Sequence, residues 1–171
     1  MTILRTERLT LRPARESDAG RFAEILSNWN VIRMMRLAPH PYTEELARAW
    51  IETHAPERET GSAHRFAIER DGRLIGTCDV DEIANGVGDL GYWLEEPAWG
   101  QGIASEAARA VMAFAFDGLR LGRLTSGHAA DNPASGKVLT KLGFRRVGQA
   151  RVWSTPRACE IDQIKYERGR P

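Results

Sequence analysis

The sequence predicts a mixed α/β fold: a mostly antiparallel sheet of about six to seven strands with helices on both faces. Two observations predict it. Two hairpin signals, Asp71-Gly72 and Asn85-Gly86, lie between apolar runs and set three antiparallel strands in a row. A strand ending Tyr92-Trp93-Leu94 is then followed by a glycine-flanked helix and a further strand, and such a crossover implies a parallel pair within the sheet. For 171 residues a single domain over 1–171 is the expectation. A chain of that length can bury about 70% of its unfolded surface, so it needs no staples to hold a core.

The elements follow in order. Arg8-Leu9-Thr10-Leu11-Arg12-Pro13 alternates and stops at a proline, which suits an edge strand. Ser17 or Asp18 offers an N-cap to a helix from Ala19 to about Ser27, with Phe22, Ile25 and Leu26 on one face. Asn28-Trp29-Asn30 interrupts the pattern before a short helix starting in Val31-Ile32-Arg33-Met34-Met35. Thr43 caps a longer helix that reaches about Glu59, with Pro56 disturbing its end. Strands over His64–Arg70 and Arg73–Val80 flank Asp71-Gly72. The glycine-flanked helix carries Ile103, Ala107, Val111 and Phe114 on its apolar face. Arg123–Ala129 is a strand. Asp131-Asn132 can cap a helix from Ala134 to about Leu142, with Pro133 in its first turn and Gly143 as its stop. Two strands, Phe144–Trp153 and Cys159–Tyr166, close the chain, and 168–171 read as a frayed tail.

Composition excludes several classes. A net charge of +1 and a pI near 7.9 give no electrostatic case for nucleic acid or an anionic membrane as main partner. Cys78 and Cys159 stand far apart in strand-like runs. They suggest neither a disulfide framework nor, with no paired Cys/His spacing, a metal site. No signal-peptide core and no run of about 18 apolar residues is present, so the expected setting is the reducing cytoplasm.

The chemistry centres on Trp99-Gly100-Gln101-Gly102-Ile103-Ala104. Its glycines allow close backbone approach where the first helical N–H groups lack partners, and the helix dipole favours an anion there. A phosphate, and more specifically a pyrophosphate, fits this turn. By contrast Gly86-Val87-Gly88-Asp89-Leu90-Gly91 spells G-x-G-x-x-G but follows a hairpin turn and leads into a strand, the wrong context for dinucleotide binding.

Trp99–Ala104, together with Asn132-Pro133-Ala134-Ser135-Gly136-Lys137-Val138-Leu139, Leu142-Gly143-Phe144 and the opening Thr6-Glu7-Arg8-Leu9-Thr10-Leu11-Arg12-Pro13, resembles the GNAT superfamily of acyl-CoA-dependent N-acyltransferases. Within it the match is to the ribosomal-protein N-terminal acetyltransferase (Rim-type) branch, over essentially the whole chain. The resemblance implies an acetyl-CoA-dependent N-acetyltransferase that uses no metal and no covalent enzyme intermediate. The amine acceptor would be a protein N-terminus or a small molecule, and relatives are often homodimers.

By resemblance, backbone N–H groups of Gln101, Gly102, Ile103 and Ala104, beside Gly100, cradle the pyrophosphate. Trp99 replaces the family's usual Arg or Gln at the first position and leaves that cradle intact. Trp93 and Leu94 pair with the pantetheine arm, and a backbone N–H there faces the thioester carbonyl, a donor worth roughly 2.7–4 kcal/mol in other acyl transfers. Asn132 contacts the cofactor, or is a plain N-cap, or both. Ser135 meets the departing thiolate, by a hydrogen bond or a water relay more than as an acid. Lys137 and Lys141 are candidates for the 3′-phosphate. The base is open among Asp89, Asp79, Asp81 and His128. Acceptor recognition is expected around Trp29, Asn30 and Met34 and in the loop from Trp153 to Arg157. The alternative class is a CoA-binding sensor or partner-binding module with little or no acetyltransferase activity.

Overall fold

Both hairpin dipeptides adopt the left-handed backbone that a tight two-residue turn needs: φ is 51° and 76° at Asp71-Gly72 and again 51° and 76° at Asn85-Gly86. In the computed structural model, which describes residues 2–171, they join three long strands: β3 (His64–Arg70), β4 (Arg73–Ala84) and β5 (Val87–Leu94). Before them come β1 (Leu4–Arg5), β2 (Thr10–Arg12), α1 (Ala19–Leu26), α2 (Trp29–Ile32) and α3 (Glu44–Thr60). After them come α4 (Ile103–Ala113), β6 (Arg123–Ala129), α5 (Pro133–Lys141), β7 (Arg145–Ser154) and β8 (Cys159–Gly169).

The sheet has eight strands in the order β1-β2-β3-β4-β5-β6-β8-β7, with β5–β6 as its parallel pair. The strand beyond the expected six to seven is β1, two residues too short to show alternation, paired with β2. The tail is not frayed: Leu124↔Arg168 and Arg123↔Gly169 extend the β6–β8 ladder, and Arg170 N–H bonds Gly122 O at 2.9 Å.

Each face is covered. Ile103, Ala107 and Val111 of α4 and Leu139 of α5 pack on Cys78, Val80, Leu90 and Leu94. On the other face Phe22 of α1 and Ala47 of α3 pack on Ala67, with Trp50 and Trp93 alongside. Two expected caps are otherwise employed. The Asp18 carboxylate accepts from both terminal nitrogens of Arg12 (2.8 and 3.0 Å) and from Arg15 N–H (2.7 Å). Asp131 pairs with Arg157 at 2.9 and 3.0 Å. Asp18 holds the N-cap position of α1, but its carboxylate turns back to Arg12 and the Arg15 N–H and makes no capping bond to α1 itself. The short second helix begins earlier than expected because Asn28 Oδ1 caps it by accepting from Asn30 N–H at 2.9 Å. No helix among the described residues is long and apolar enough to cross a membrane.

One core group sets a pH response. His54 of α3 is 7% exposed, lies edge-on to Trp50 at 4.4 Å between ring centroids, and neither ring nitrogen has a partner. Burial, reinforced by Arg65, lowers its pKa from 6.5 to about 4. Above pH 6.5 the imidazole is neutral in both states and adds no pH dependence. Between 6.5 and about 4 only the unfolded chain takes the proton, so stability falls with pH, and below about 4 the loss is complete. The gap is worth about 3 kcal/mol. Asp79, discussed below, has the opposite sign, so the prediction is differential. Between pH 7 and 4, wild type loses about 3 kcal/mol relative to His54→Leu in urea titrations; parallel curves for the two proteins would contradict it.

Candidate active site

The parallel pair is short. Residues Val87, Gly88 and Asp89 of β5 pair with Arg123, Leu124 and Thr125 of β6, and Ser126 Oγ donates to Leu90 O at 2.7 Å. Past that point β5 stays with β4 while β6 stays with β8. The two strands part as a fork. A cavity of about 400 Å³ lies on its glycine-loop side and a larger one of about 830 Å³ on the other; Met34, Met35, Tyr92, Trp93, Gly127 and His128 border both.

The glycine loop forms one end of the smaller cavity. Gly100 and Gly102 have φ of 72° and 76°, and Gly102 is the N-cap of α4. Glu106 is the first amide of the helix to reach a backbone acceptor, Gly102 O at 3.1 Å; the N–H groups of Ile103, Ala104 and Ser105 have none among the described residues. The loop is clamped from the far end of the chain. Glu106 accepts from Thr6 Oγ1 (2.6 Å), Arg8 N–H (3.0 Å) and Arg8 Nε (2.7 Å), while Arg8 Nη1 donates to Gln101 O (2.9 Å). The opening Thr6-x-Arg8 motif therefore holds the loop in place. Trp99 donates its indole N–H to Leu94 O at 2.9 Å, tying the end of β5 to the turn.

Of the expected cofactor residues, Trp93, Leu94, Gly100, Gly102, Ile103, Ala104, Asn132 and Lys137 border the 400 Å³ cavity, with Ser135. Gln101 does not: its side chain turns out to Pro97 O and Arg70. Lys141 borders neither cavity. Asn132 sits at the N-cap of α5, but its side chain makes no capping bond, which leaves its amide to the cavity.

The candidate bases divide. Asp89, Asp81 and Asp79 border the larger cavity and share a sheet face, because Asp81 pairs with Asp89 and Asp79 with Gly91. Asp89 accepts from Thr125 Oγ1 at 2.6 Å, and burial pushes its carboxyl up. Asp81 is bonded by Arg65 Nη1 at 2.8 Å, and burial pushes it up as well. Asp79, 7% exposed, accepts from Phe66 N–H at 3.2 Å and Thr77 Oγ1 at 3.4 Å; burial raises it to about 7 against the pull of Arg65. His128 has its Nδ1 on Ala129 O at 2.8 Å and its Nε2 3.5 Å from Tyr166 Oη.

The expected acceptor residues are mostly elsewhere. Only Met34 borders a cavity. Trp29 packs on His40, Asn30 bonds Glu96, Trp153 is exposed, and Arg157 bridges Arg33 O and Asp131. The wall of the larger cavity is built instead from Leu37, Tyr42, Leu46 and Trp50, residues of α3 and the segment before it that carry no motif.

A sheet forked at its parallel pair, with a glycine-flanked helix start whose first N–H groups are unpaired on one arm and a polar first helical turn on the other, is the architecture of an acyl-CoA-dependent N-acyltransferase. The acetyltransferase (GNAT) domain model matches residues 8–145, and the chain belongs to that family of N-acetyltransferases. It is 32% identical over 170 residues to the uncharacterized N-acetyltransferase p20 of Bacillus licheniformis, covering 97% of this chain and 95% of that protein. It is 32% identical over 104 residues to the ribosomal-protein-serine acetyltransferase of Escherichia coli K12, covering 60% and 58% of the two chains. Among solved structures, the ribosomal L7/L12 alpha-N-protein acetyltransferase RimL in complex with coenzyme A superposes with a TM-score of 0.88 at 22% identity, over 98% of each chain.

Proposed function

We propose that the protein transfers an acetyl group from acetyl-CoA to the α-amine of a peptide or protein N-terminus by direct attack with both substrates bound. The observation that carries this reading is the fork, with the clamped glycine loop at the end of one cavity and a second, larger cavity across Tyr92 and Trp93. The residues fit the donor. Gly100 and Gly102 turn unpaired N–H groups outward as an anion requires, and the Asn132 amide is free of capping. Bound acetyl-CoA would supply the activated thioester carbonyl.

The chain's own work is then limited. The loop amides hold the pyrophosphate, Lys137 neutralises phosphate charge, Trp93 and Leu94 align the arm, and a strand N–H meets the developing oxyanion. Asp89, Asp81 and Asp79 line the cavity where we place the amine; burial raises all three carboxyls, and that of Asp79 reaches about 7, matched to working pH. An α-amine is already roughly 15% neutral at pH 7, whereas a lysine is below about 0.1%, which favours an N-terminus over a side chain. Relatives named as ribosomal-protein acetyltransferases support a protein acceptor. The free thiols Cys78 and Cys159 accord with a reducing cytoplasm.

The test presents acetyl-CoA with peptides bearing free N-terminal Ser or Ala, the same peptides with blocked ends and an internal lysine, and a set of small amines. Mass spectrometry then locates the acetyl group. Modification of the free α-amine is expected; modification confined to lysine or to small amines overturns the acceptor assignment. Since the base and the attacking amine both act deprotonated, kcat/KM falls about a hundredfold per pH unit well below 7, or about tenfold once corrected for the neutral fraction of the amine, and Asp79→Asn lowers it about 10²-fold at neutral pH. Full activity in Asp79→Asn would return the role to Asp89 or to water alone.

A further inference from the structure

Ser135 does not stand alone at the head of α5. The Tyr92 phenol, coming from the other arm of the fork, lies 2.8 Å from Ser135 Oγ and 3.2 Å from Ser135 O. Tyr92 has one proton for these two acceptors, and Ser135 has one proton of its own. Two arrangements are therefore available. In one, Tyr92 donates to Ser135 O and Ser135 donates to the phenol oxygen, so the serine hydrogen is consumed. In the other, Tyr92 donates to Ser135 Oγ and the serine hydrogen is free to turn into the cavity.

We infer that Tyr92 is the positioning residue of Ser135: by donating its hydrogen to Ser135 Oγ, it fixes the hydroxyl so that Ser135 O–H is aimed at the sulfur of a bound CoA. This rests on the reading of the 400 Å³ cavity as the acetyl-CoA site. No proton is transferred by Tyr92. Burial pushes the phenol above its ordinary range, so it stays protonated and remains a donor throughout. Ser135 is likewise a donor and not an acid: the sulfur leaves as a thiolate held by the serine hydrogen, the amine's proton goes to the carboxylate base of the larger cavity, and the proton that finally neutralises the thiolate comes from solvent water. A donor oriented toward a thiolate favours the ionised form, so it lowers the pKa of the bound thiol.

The test uses free CoA and needs no acceptor. The thiol of bound CoA is titrated by its ultraviolet thiolate absorbance, as a difference against the protein alone, in wild type, Tyr92→Phe, Ser135→Ala and the double variant. Tyr92→Phe keeps the ring and its packing. Relative to wild type, the bound-thiol pKa is expected to rise by about one unit in each single variant and by no more in the double, because the pair acts as one unit. CoA affinity, followed by calorimetry, should change less than about threefold. A bound-thiol pKa unmoved in Tyr92→Phe, or shifts that add in the double variant, would overturn the inference. Failure of wild type to bind CoA would instead overturn the reading of the cavity, so the two failures are told apart. With a peptide acceptor, the same variants should lower kcat about tenfold at unchanged KM for acetyl-CoA; a purely structural role would show as lost thermal stability with neither change.

Discussion

Gly102→Val weakens acetyl-CoA binding about 10²-fold while the protein still folds. The β-carbon itself has room, its nearest neighbour being Arg8 Nη2 at 3.6 Å. The obstacle is the backbone: φ at 102 is 76°, a region that costs an L-residue roughly 1–2 kcal/mol and a β-branched one more. Relaxing to negative φ turns the N–H groups at 102 and 103 away from a common point. Two charge-assisted bonds at about 1.5 kcal/mol each account for about 3 kcal/mol, hence the factor of about 10². Gly72→Val is the control: the same φ of 76° and open space, in a hairpin that borders neither cavity. Both variants should lose similar stability, and only Gly102→Val should lose affinity in calorimetry. Equal affinity in the two would remove the loop from the site.

Arg12→Ala is expected to be the most damaging single change to stability. The guanidinium is 8% exposed and is fully engaged, with Nε on Glu69 at 2.6 Å and its two terminal nitrogens on Asp18 at 2.8 and 3.0 Å. Asp18 is itself only 10% exposed. Burial pushes its carboxyl up, but the Arg12 guanidinium and the Arg15 N–H outweigh this and hold it below the usual carboxylate range. Its contribution is therefore present above that range and lost as pH falls through the lowered value. Removing Arg12 strands a buried carboxylate, which costs about 3–5 kcal/mol against a total stability of about 5–15. A melting temperature lower by roughly 10 °C follows at this chain length. Arg12→Lys keeps the charge but not the fork and should fall in between. A melting temperature unchanged in Arg12→Ala would show that the cluster does not hold β2 to α1.

What was legible in the sequence is what local stereochemistry dictates. Asp71-Gly72 and Asn85-Gly86 announced their turns because so few residues accept positive φ in succession. Gly100 and Gly102 announced the loop for the same reason. Alternation in β5 puts Tyr92 on the face of Leu90 and Leu94, but nothing local says which helix covers that face.

What was not legible depends on contacts between distant residues. Arg8 reaches Glu106, Tyr92 reaches Ser135, and the cavity wall of Leu37, Tyr42, Leu46 and Trp50 forms only when α3 lies on the sheet. Asp18 and Asp131 looked like caps because their arginine partners are fixed by tertiary structure. The tail looked loose because its partner strand, β6, lies more than thirty residues earlier in the chain.

The central claim is that the fork brings a thioester and an amine together, and free-thiol release measures it most directly. Acetyl-CoA is mixed with protein and a Ser-initiated peptide, once with a free N-terminus and once N-acetylated. Thiol release that saturates with the free peptide and stays at the acceptor-free background with the blocked one is the predicted result. Equal rates with free and blocked peptide, or none above background with any amine, would contradict it.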